Sequence, residues 1–361
     1  LFLGLTLSTH AFSLTLYDDF SGTYIDGTKW IYGEFVRETR EIDPGNYKLI
    51  LKQASPNPNL IPILGASYPY YESNGLVFIN PGSINSMQAD VTILENSITN
   101  SGSTSAGCPG NWYNDGTPGE GRIGDIQAVV ALEGRPSGFF ATWNIFRLTN
   151  AEGTTWTVLG RGDFATPITK GTTYTLYIEY DSANNRFIFR VGGEQVEFST
   201  GLPPRAGNAK SSFRSLATRV RIGDATSSAY VSATFDNVYK NGSPYDNFSS
   251  STIDSTKWAT YEFVREISNG KLRTKVRTGS ASPNDPVNGQ LPSLIAIKAA
   301  QVKVILLDYQ NPQGLWERAG ITGAFFNDGT PGEWQIGDVQ GVVRIVSTGV
   351  TLQPEWEVLR L

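Results

Sequence analysis

The chain has one cysteine (Cys108), one histidine (His10) and one methionine (Met87) in 361 residues. Each scarcity removes a chemistry. A lone thiol forms no intramolecular disulfide, so stability must come from a large apolar core. A lone imidazole leaves Ser-His-Asp and Cys-His nucleophilic sites, and soft-metal centres, short of parts. Charged residues are sparse, at 17%, against about a quarter in an average protein. The net charge is −5, so the basic footprint of a nucleic-acid partner is missing. No run of eighteen apolar residues occurs, which argues against a membrane-spanning helix. Glycine (38), proline (19) and aromatic residues (12%) are plentiful. That mixture suits short strands joined by tight turns.

Residues 1–13, LFLGLTLSTHAFS, are an apolar stretch followed by the small-residue pattern Ala11–Ser13. They read as the later part of a secretory signal peptide, with a buried first strand as the alternative. An exported protein (secreted, periplasmic or cell-surface) is expected. No cysteine stands at the cleavage point to carry a lipid anchor.

The most informative feature is an internal repeat. Tyr17–Trp30 reads YDDFSGTYIDGTKW and Tyr245–Trp258 reads YDNFSSSTIDSTKW, with EFVRE following at Glu34–Glu38 and Glu262–Glu266. NDGTPGE stands at Asn114–Glu120 and again at Asn327–Glu333. Behind it, IGDIQAVV (Ile123–Val130) matches IGDVQGVV (Ile336–Val343), and WNIFRL (Trp143–Leu148) matches WEVLRL (Trp356–Leu361). The expected organisation is a first domain over 14–241 and the N-terminal half of a second, truncated copy over 242–361.

Alternation of period two runs through YTLYIEYD (Tyr174–Asp181) and RFIFRVGG (Arg186–Gly193), which an Asn-rich turn joins into a hairpin. QADVTILE (Gln88–Glu95), GDIQAVVALE (Gly124–Glu133) and FFATWNIFRL (Phe139–Leu148) are further strands, and YVSATFDNVYKNG closes the first copy. No segment sustains a 3.6-residue period. Two packed antiparallel sheets follow. The motifs DDFSG…ID…KW, Y-x-L-x-I-x-Y-D…F-x-F-x-V-x-G and FDNVY resemble the concanavalin A-like (laminin G-like) jelly rolls. That resemblance implies an all-β fold of tandem antiparallel β-sandwich (jelly-roll) domains. The superfamily includes lectins, carbohydrate-binding modules, adhesive modules and glycoside hydrolases, so fold does not choose among them.

A hydrolase of the laminarinase type would carry acids in an E-x-D-x-E pattern, which is not found. Glu34 and Glu38 share a strand face but lie about 13 Å apart, too far for either retaining or inverting hydrolysis. Glu41 and Asp43 are two residues apart, yet the second copy has no acids there. Glu355 and Glu357 flank Trp356, but their matches are Thr142 and Asn144. Binding is the better lead. Asp125 and Gln127, repeated as Asp338 and Gln340, share a strand face; Trp143 and Arg147, repeated as Trp356 and Arg360, share one too. Facing outward together, they would make a groove in which sugar C–H faces lie on indole and hydroxyls bond to Asp, Gln and Arg. The competing reading is core Trp and a structural Asp–Arg pair. NDGTPGE is first a turn, while Asn114, Asp115 and Glu120 could also present oxygens at a groove rim. A structural calcium ion would suit oxygen ligands, with Asp18, Asp19 and Asp236 as a second weak cluster. A polysaccharide or cell-surface glycan is the expected partner, with an extracellular protein as the alternative.

Overall fold

A computed structural model describes residues 16–22, 25–26, 29–30, 37–43, 45–58, 61–62, 66–202, 208–269, 271–277, 302–307, 317–331, 336–347 and 351–361. The signal-peptide reading of residues 1–13 lies outside them. The described residues fall into two compact units.

The larger unit, Asp19–Leu291, holds two antiparallel sheets. The strands of the first are β1 (Glu38–Ile42), β2 (Leu49–Ala54), β4 (Ser86–Ile98), β9 (Thr173–Asp181), β10 (Arg186–Val191), β11 (Glu194–Phe198), β13 (Ala229–Lys240), β15 (Glu262–Ser268) and β16 (Lys271–Arg277), in the order β11-β10-β9-β4-β13-β2-β1-β15-β16. A short β14 (Ser243–Asp246) pairs with β13. The second sheet has β3 (Tyr70–Val77), β5 (Ser103–Asn114), β6 (Asp125–Arg135), β7 (Gly138–Leu148), β8 (Trp156–Asp163) and β12 (Phe213–Ile222), in the order β3-β12-β5-β6-β7-β8. This is the expected all-β arrangement of two packed antiparallel sheets. The Asn-rich hairpin is present as β9–β10, with Asp181 opposite Arg186 and Asn185 left-handed at φ 48°.

Alternation decides which side of each strand is buried. Along β6, Ile126, Ala128, Val130 and Leu132 point into the core, while Gln127, Val129 and Glu133 face the other way and stay half-exposed. From the opposite sheet, Leu176, Ile178, Phe187, Phe189, Val231 and Phe235 meet them, all fully buried. Each such side chain contributes about 1.5–3 kcal/mol by leaving water. At Gly107 of β5 a Cβ would stand 2.2 Å from the Val130 carbonyl oxygen of β6, so the position admits no side chain without a shift.

This unit does not stop at the end of the first repeat. β14, β15 and β16 come from the second copy yet extend the first sheet, with β15 hydrogen-bonded to β1. The reason is ionic as well as backbone pairing. Arg273 bridges Glu41 and Glu266, Lys275 bridges Glu41 and Glu262, and Lys52 reaches Glu266 at 3.0 Å. The acids of the repeated EFVRE in the second copy, and Glu41, are thus engaged by cations between strands.

The smaller unit contains a three-stranded antiparallel sheet, β17 (Glu317–Asn327), β18 (Asp338–Ser347) and β19 (Leu352–Arg360). Its register repeats that of β5–β7: Val343 lies opposite Trp356 as Val130 lies opposite Trp143.

Candidate functional site

The structure separates the expected groove residues. On β7, Trp143 and Ile145 share the core face with Val130 and Ala128 of β6, whereas Asp125 and Gln127 lie on the reverse side of the sheet. Trp143 is 8% exposed and stacks on Phe189 at 5.4 Å. It fills the sandwich and offers no platform to a ligand. Odd and even positions on paired strands cannot be assigned to one face until the register is known, and the register sets these two pairs apart.

Asp125 is fully buried. Its Oδ1 accepts from Asn114 Nδ2 (2.8 Å) and the Lys210 backbone N–H (2.7 Å), and its Oδ2 from the Ser211 N–H (2.9 Å). The carboxylate ties the NDGTPGE loop to the turn that leads into β12, so it is scaffold. Asn114 also donates to the Ile123 carbonyl, and its Oδ1 receives the Gly116 N–H.

Arg147 is a clamp on the same loop. Its Nε donates to Asp115 Oδ2 at 2.5 Å, while Asp115 Oδ1 takes the Thr117 N–H and hydroxyl. In the second copy Arg360 holds Asp328, and Asp328 takes Thr330, in the same way. Burial works to raise the Asp115 pKa, but the Thr117 and Arg147 hydrogen bonds hold it below the usual carboxylate range. At Asp328 the Thr330 and Arg360 hydrogen bonds bring it down to about 2. The duplicated Arg is therefore kept for a turn. Glu120 is exposed at the tip of that turn.

In the second copy, Gln340 donates to Thr322 Oγ1 at 2.9 Å, and Asp338 begins β18, with its backbone carbonyl accepting from Leu361. Trp356 is 77% exposed, unlike its buried match Trp143. On the reverse face Arg344 is held by both Glu355 and Glu357. The weak calcium cluster is otherwise engaged. Asp19 accepts from Ser21, and Asp236 lies 3.7 Å from Lys48. Among the described residues, no group of three or more His, Cys, Asp or Glu is arranged to hold a metal ion.

The surface that does gather ligand-like chemistry is the outward face of the six-stranded sheet. Gln127 lies on it and donates to Asn111 of β5 at 3.2 Å. Around them stand Asn144 and Phe146 of β7, Arg161 of β8, Arg219 and Arg221 of β12, and Tyr71 of β3. The guanidinium of Arg219 lies 4.2 Å above the Tyr71 ring. Arg161 is exposed and has no side-chain partner among the described residues.

Strands β3 and β8 are opposite edges of this sheet, about 24 Å apart along it by ordinary strand spacing. Yet the rings of Tyr71 and Trp156 lie edge to face with centroids 5.7 Å apart, and Trp156 also meets Phe146 at 6.0 Å. The sheet is therefore curled into a trough, and two edge aromatics reach each other across it. The acids here are engaged: Arg135 takes Glu133 and Asp163 with two bonds each and covers the Phe140 ring. Sequence reasoning missed Tyr71, Trp156, Arg219 and Arg221. The alternation of Arg219 and Arg221 with apolar Val220 and Ile222 was the available signal.

No protein-family model matches the chain, and no curated protein matches it. Among solved structures the chain is similar to the kappa-carrageenase from Pseudoalteromonas carrageenovora in complex with an oligotetrasaccharide of kappa-carrageenan, at 14% identity over 60% of this chain and 92% of that one, TM-score 0.31. It is also similar to a glycoside hydrolase family 16 endo-glucanase from Bacteroides ovatus (12% identity, 60% and 98% covered, TM-score 0.29). A third is a Bacillus subtilis protein with a galectin-like fold (12% identity, 57% and 88% covered, TM-score 0.29).

Proposed function

We propose that this chain is an exported, non-catalytic tandem β-sandwich protein that binds polysaccharide in the trough on the outward face of its six-stranded sheet. The observation that carries the reading is the trough itself: Tyr71, Trp156 and Phe146 beside Arg161, Arg219, Asn144 and Gln127. Aromatic faces suit the C–H faces of sugar rings, and fixed guanidinium and amide groups suit their hydroxyls. Glu133 and Asp163 are both held by the Arg135 guanidinium and are engaged within the sheet. The site acts by shape and hydrogen bonding.

Retention of the full chain on a panel of insoluble polysaccharides, with a glycan array alongside, tests this. Trp156→Ala and Tyr71→Ala are expected to weaken retention at least tenfold while leaving the circular dichroism unchanged. Retention by both variants equal to the parent's would sink the proposal.

A second reading, as an adhesive module, draws on the smaller unit. Trp356, Val343 and Val358 are 77%, 65% and 64% exposed on one face of its sheet, and apolar surface of that kind favours association. It predicts self-association in light scattering that no sugar competes away. Reducing-sugar release abolished by one Glu or Asp substitution would favour a hydrolase over both.

A further inference from the structure

The opening segments of the two repeats have the same local build. Phe20 and Phe248 are left-handed, at φ 53° and 51°. Phe20 stacks on Trp30 at 5.7 Å and 23°, and Phe248 on Trp258 at 5.8 Å and 21°. Lys29 and Trp30 donate their N–H groups to the Asp26 carbonyl, as Lys257 and Trp258 do to that of Asp254. Each segment keeps this shape although the two touch different surroundings.

Phe248–Trp258 sits in the sandwich of the first repeat. Trp258 is 2% exposed, with its ring 4.5 Å from that of Phe78. The backbone completes the seat: the Ile79 N–H donates to the Lys257 carbonyl at 3.0 Å, and the Ala259 N–H to that of Val77 at 2.7 Å. Phe20–Trp30 lies elsewhere, with Trp30 and, from the β15–β16 hairpin, Ile267 and Leu272 packed against Ile25. The side chains that the seat buries, Phe248, Ile253 and Trp258, recur in the first segment as Phe20, Ile25 and Trp30. The apolar contacts and main-chain bonds of the seat are ones that Phe20–Trp30 can repeat, while the Val77 N–H bond to Thr260 Oγ1 at 3.1 Å has Tyr32 as its counterpart.

The first repeat cannot fill its own seat in the observed register. Trp258 leads into β15, which pairs with β1 so that Arg265 lies opposite Glu38 and Phe263 opposite Arg40. The repeat equivalent of Arg265 is Arg37. With its own segment seated, Arg37 would have to pair across the ladder with Glu38, its chain neighbour, whereas common tight hairpins use a loop of about two residues. A second molecule meets no such limit. Arg37 of each chain would face Glu38 of the other, the self-complementary contact of a two-fold dimer.

We propose that the seat at Val77–Ile79 accepts the Phe20–Trp30 segment of a second copy of this chain once the internal segment is withdrawn, giving a two-fold, segment-exchanged dimer. The internal segment, tethered to its seat, outcompetes a free one by effective concentration, so the intact chain stays closed. The test uses the full chain with Ile79→Cys and Lys29→Cys under mild oxidation, in a Phe248→Ala/Trp258→Ala background and in the parent. A disulfide-linked dimer at least tenfold more abundant in the doubly substituted background is expected. Ile79→Cys with Lys257→Cys in the parent gives a linked monomer and verifies the reporter. Should the double variant fail to fold, Trp258→Phe, which keeps a ring and loses the Nε1–H bond to Asp246, is read in the same way. A linked monomer, or no Ile79–Lys29 link in a folded variant, overturns the proposal.

Discussion

Replacing Asp125 by alanine separates a scaffold role from a ligand role at the most strongly repeated polar position. The carboxylate accepts three hydrogen bonds in a site closed to water, from Asn114, Lys210 and Ser211. Hydrogen bonds to a charged group contribute about 1.5–3 kcal/mol each, and part of that offsets the cost of burying the charge. Asp125→Ala therefore costs about 3–5 kcal/mol, because the donors are stranded as well as the acceptor removed. Asp125→Asn keeps one oxygen for two of the donors and turns an amide N–H toward a third, so it falls roughly midway. Urea unfolding of the full chain, followed by tryptophan fluorescence, reads the difference as a shifted midpoint. Amide exchange at Lys210 and Ser211 reads it locally. An alanine variant that unfolds at the parent's midpoint but no longer binds polysaccharide would refute the scaffold assignment.

Other expectations follow from the same geometry. The Asp328 carboxyl is held near 2 by Thr330 and Arg360, so the Thr330 amide resonance should titrate there, and Arg360→Gln should move its midpoint up toward the ordinary value near 4. Because this folded pKa lies below the unfolded one, the clamp's contribution is complete above about pH 4 and is lost as pH falls through about 2; a midpoint unmoved by Arg360→Gln would contradict this. Gly107→Ala should destabilise by about 1–3 kcal/mol through overpacking, since its Cβ would meet the Val130 oxygen at 2.2 Å; calorimetry tests it. Burial pushes the Cys108 thiol up to about 12, so it should react with a thiol reagent only as the protein unfolds. Burial likewise raises the Glu72 carboxyl. Its ionised form therefore opposes folding at neutral pH, and Glu72→Gln, which can still accept from the Tyr70 hydroxyl, should raise the neutral-pH urea midpoint.

Much of the architecture was legible because alternation and turn chemistry are local. YTLYIEYD and RFIFRVGG carry their hairpin in their own pattern, and within NDGTPGE the Asp115 carboxylate accepts from Thr117 two residues on. The site was less legible. Trp143 and Arg147 alternate correctly along β7, but one closes the core and the other pins a loop, while Gln127 points to the far side of the sheet. The trough residues come from β3, β7, β8 and β12, and no short motif joins Tyr71 to Trp156.

By itself, the sequence determined an all-β chain with a duplicated unit, since side-chain period and repeated strings are written residue by residue. Only the tertiary structure decided which polar and aromatic groups share a surface, and that the second copy's opening segment completes the first sandwich. Those outcomes depend on strand register, sheet curvature and the packing of distant segments, which are properties of pairs of strands and not of any one stretch of chain.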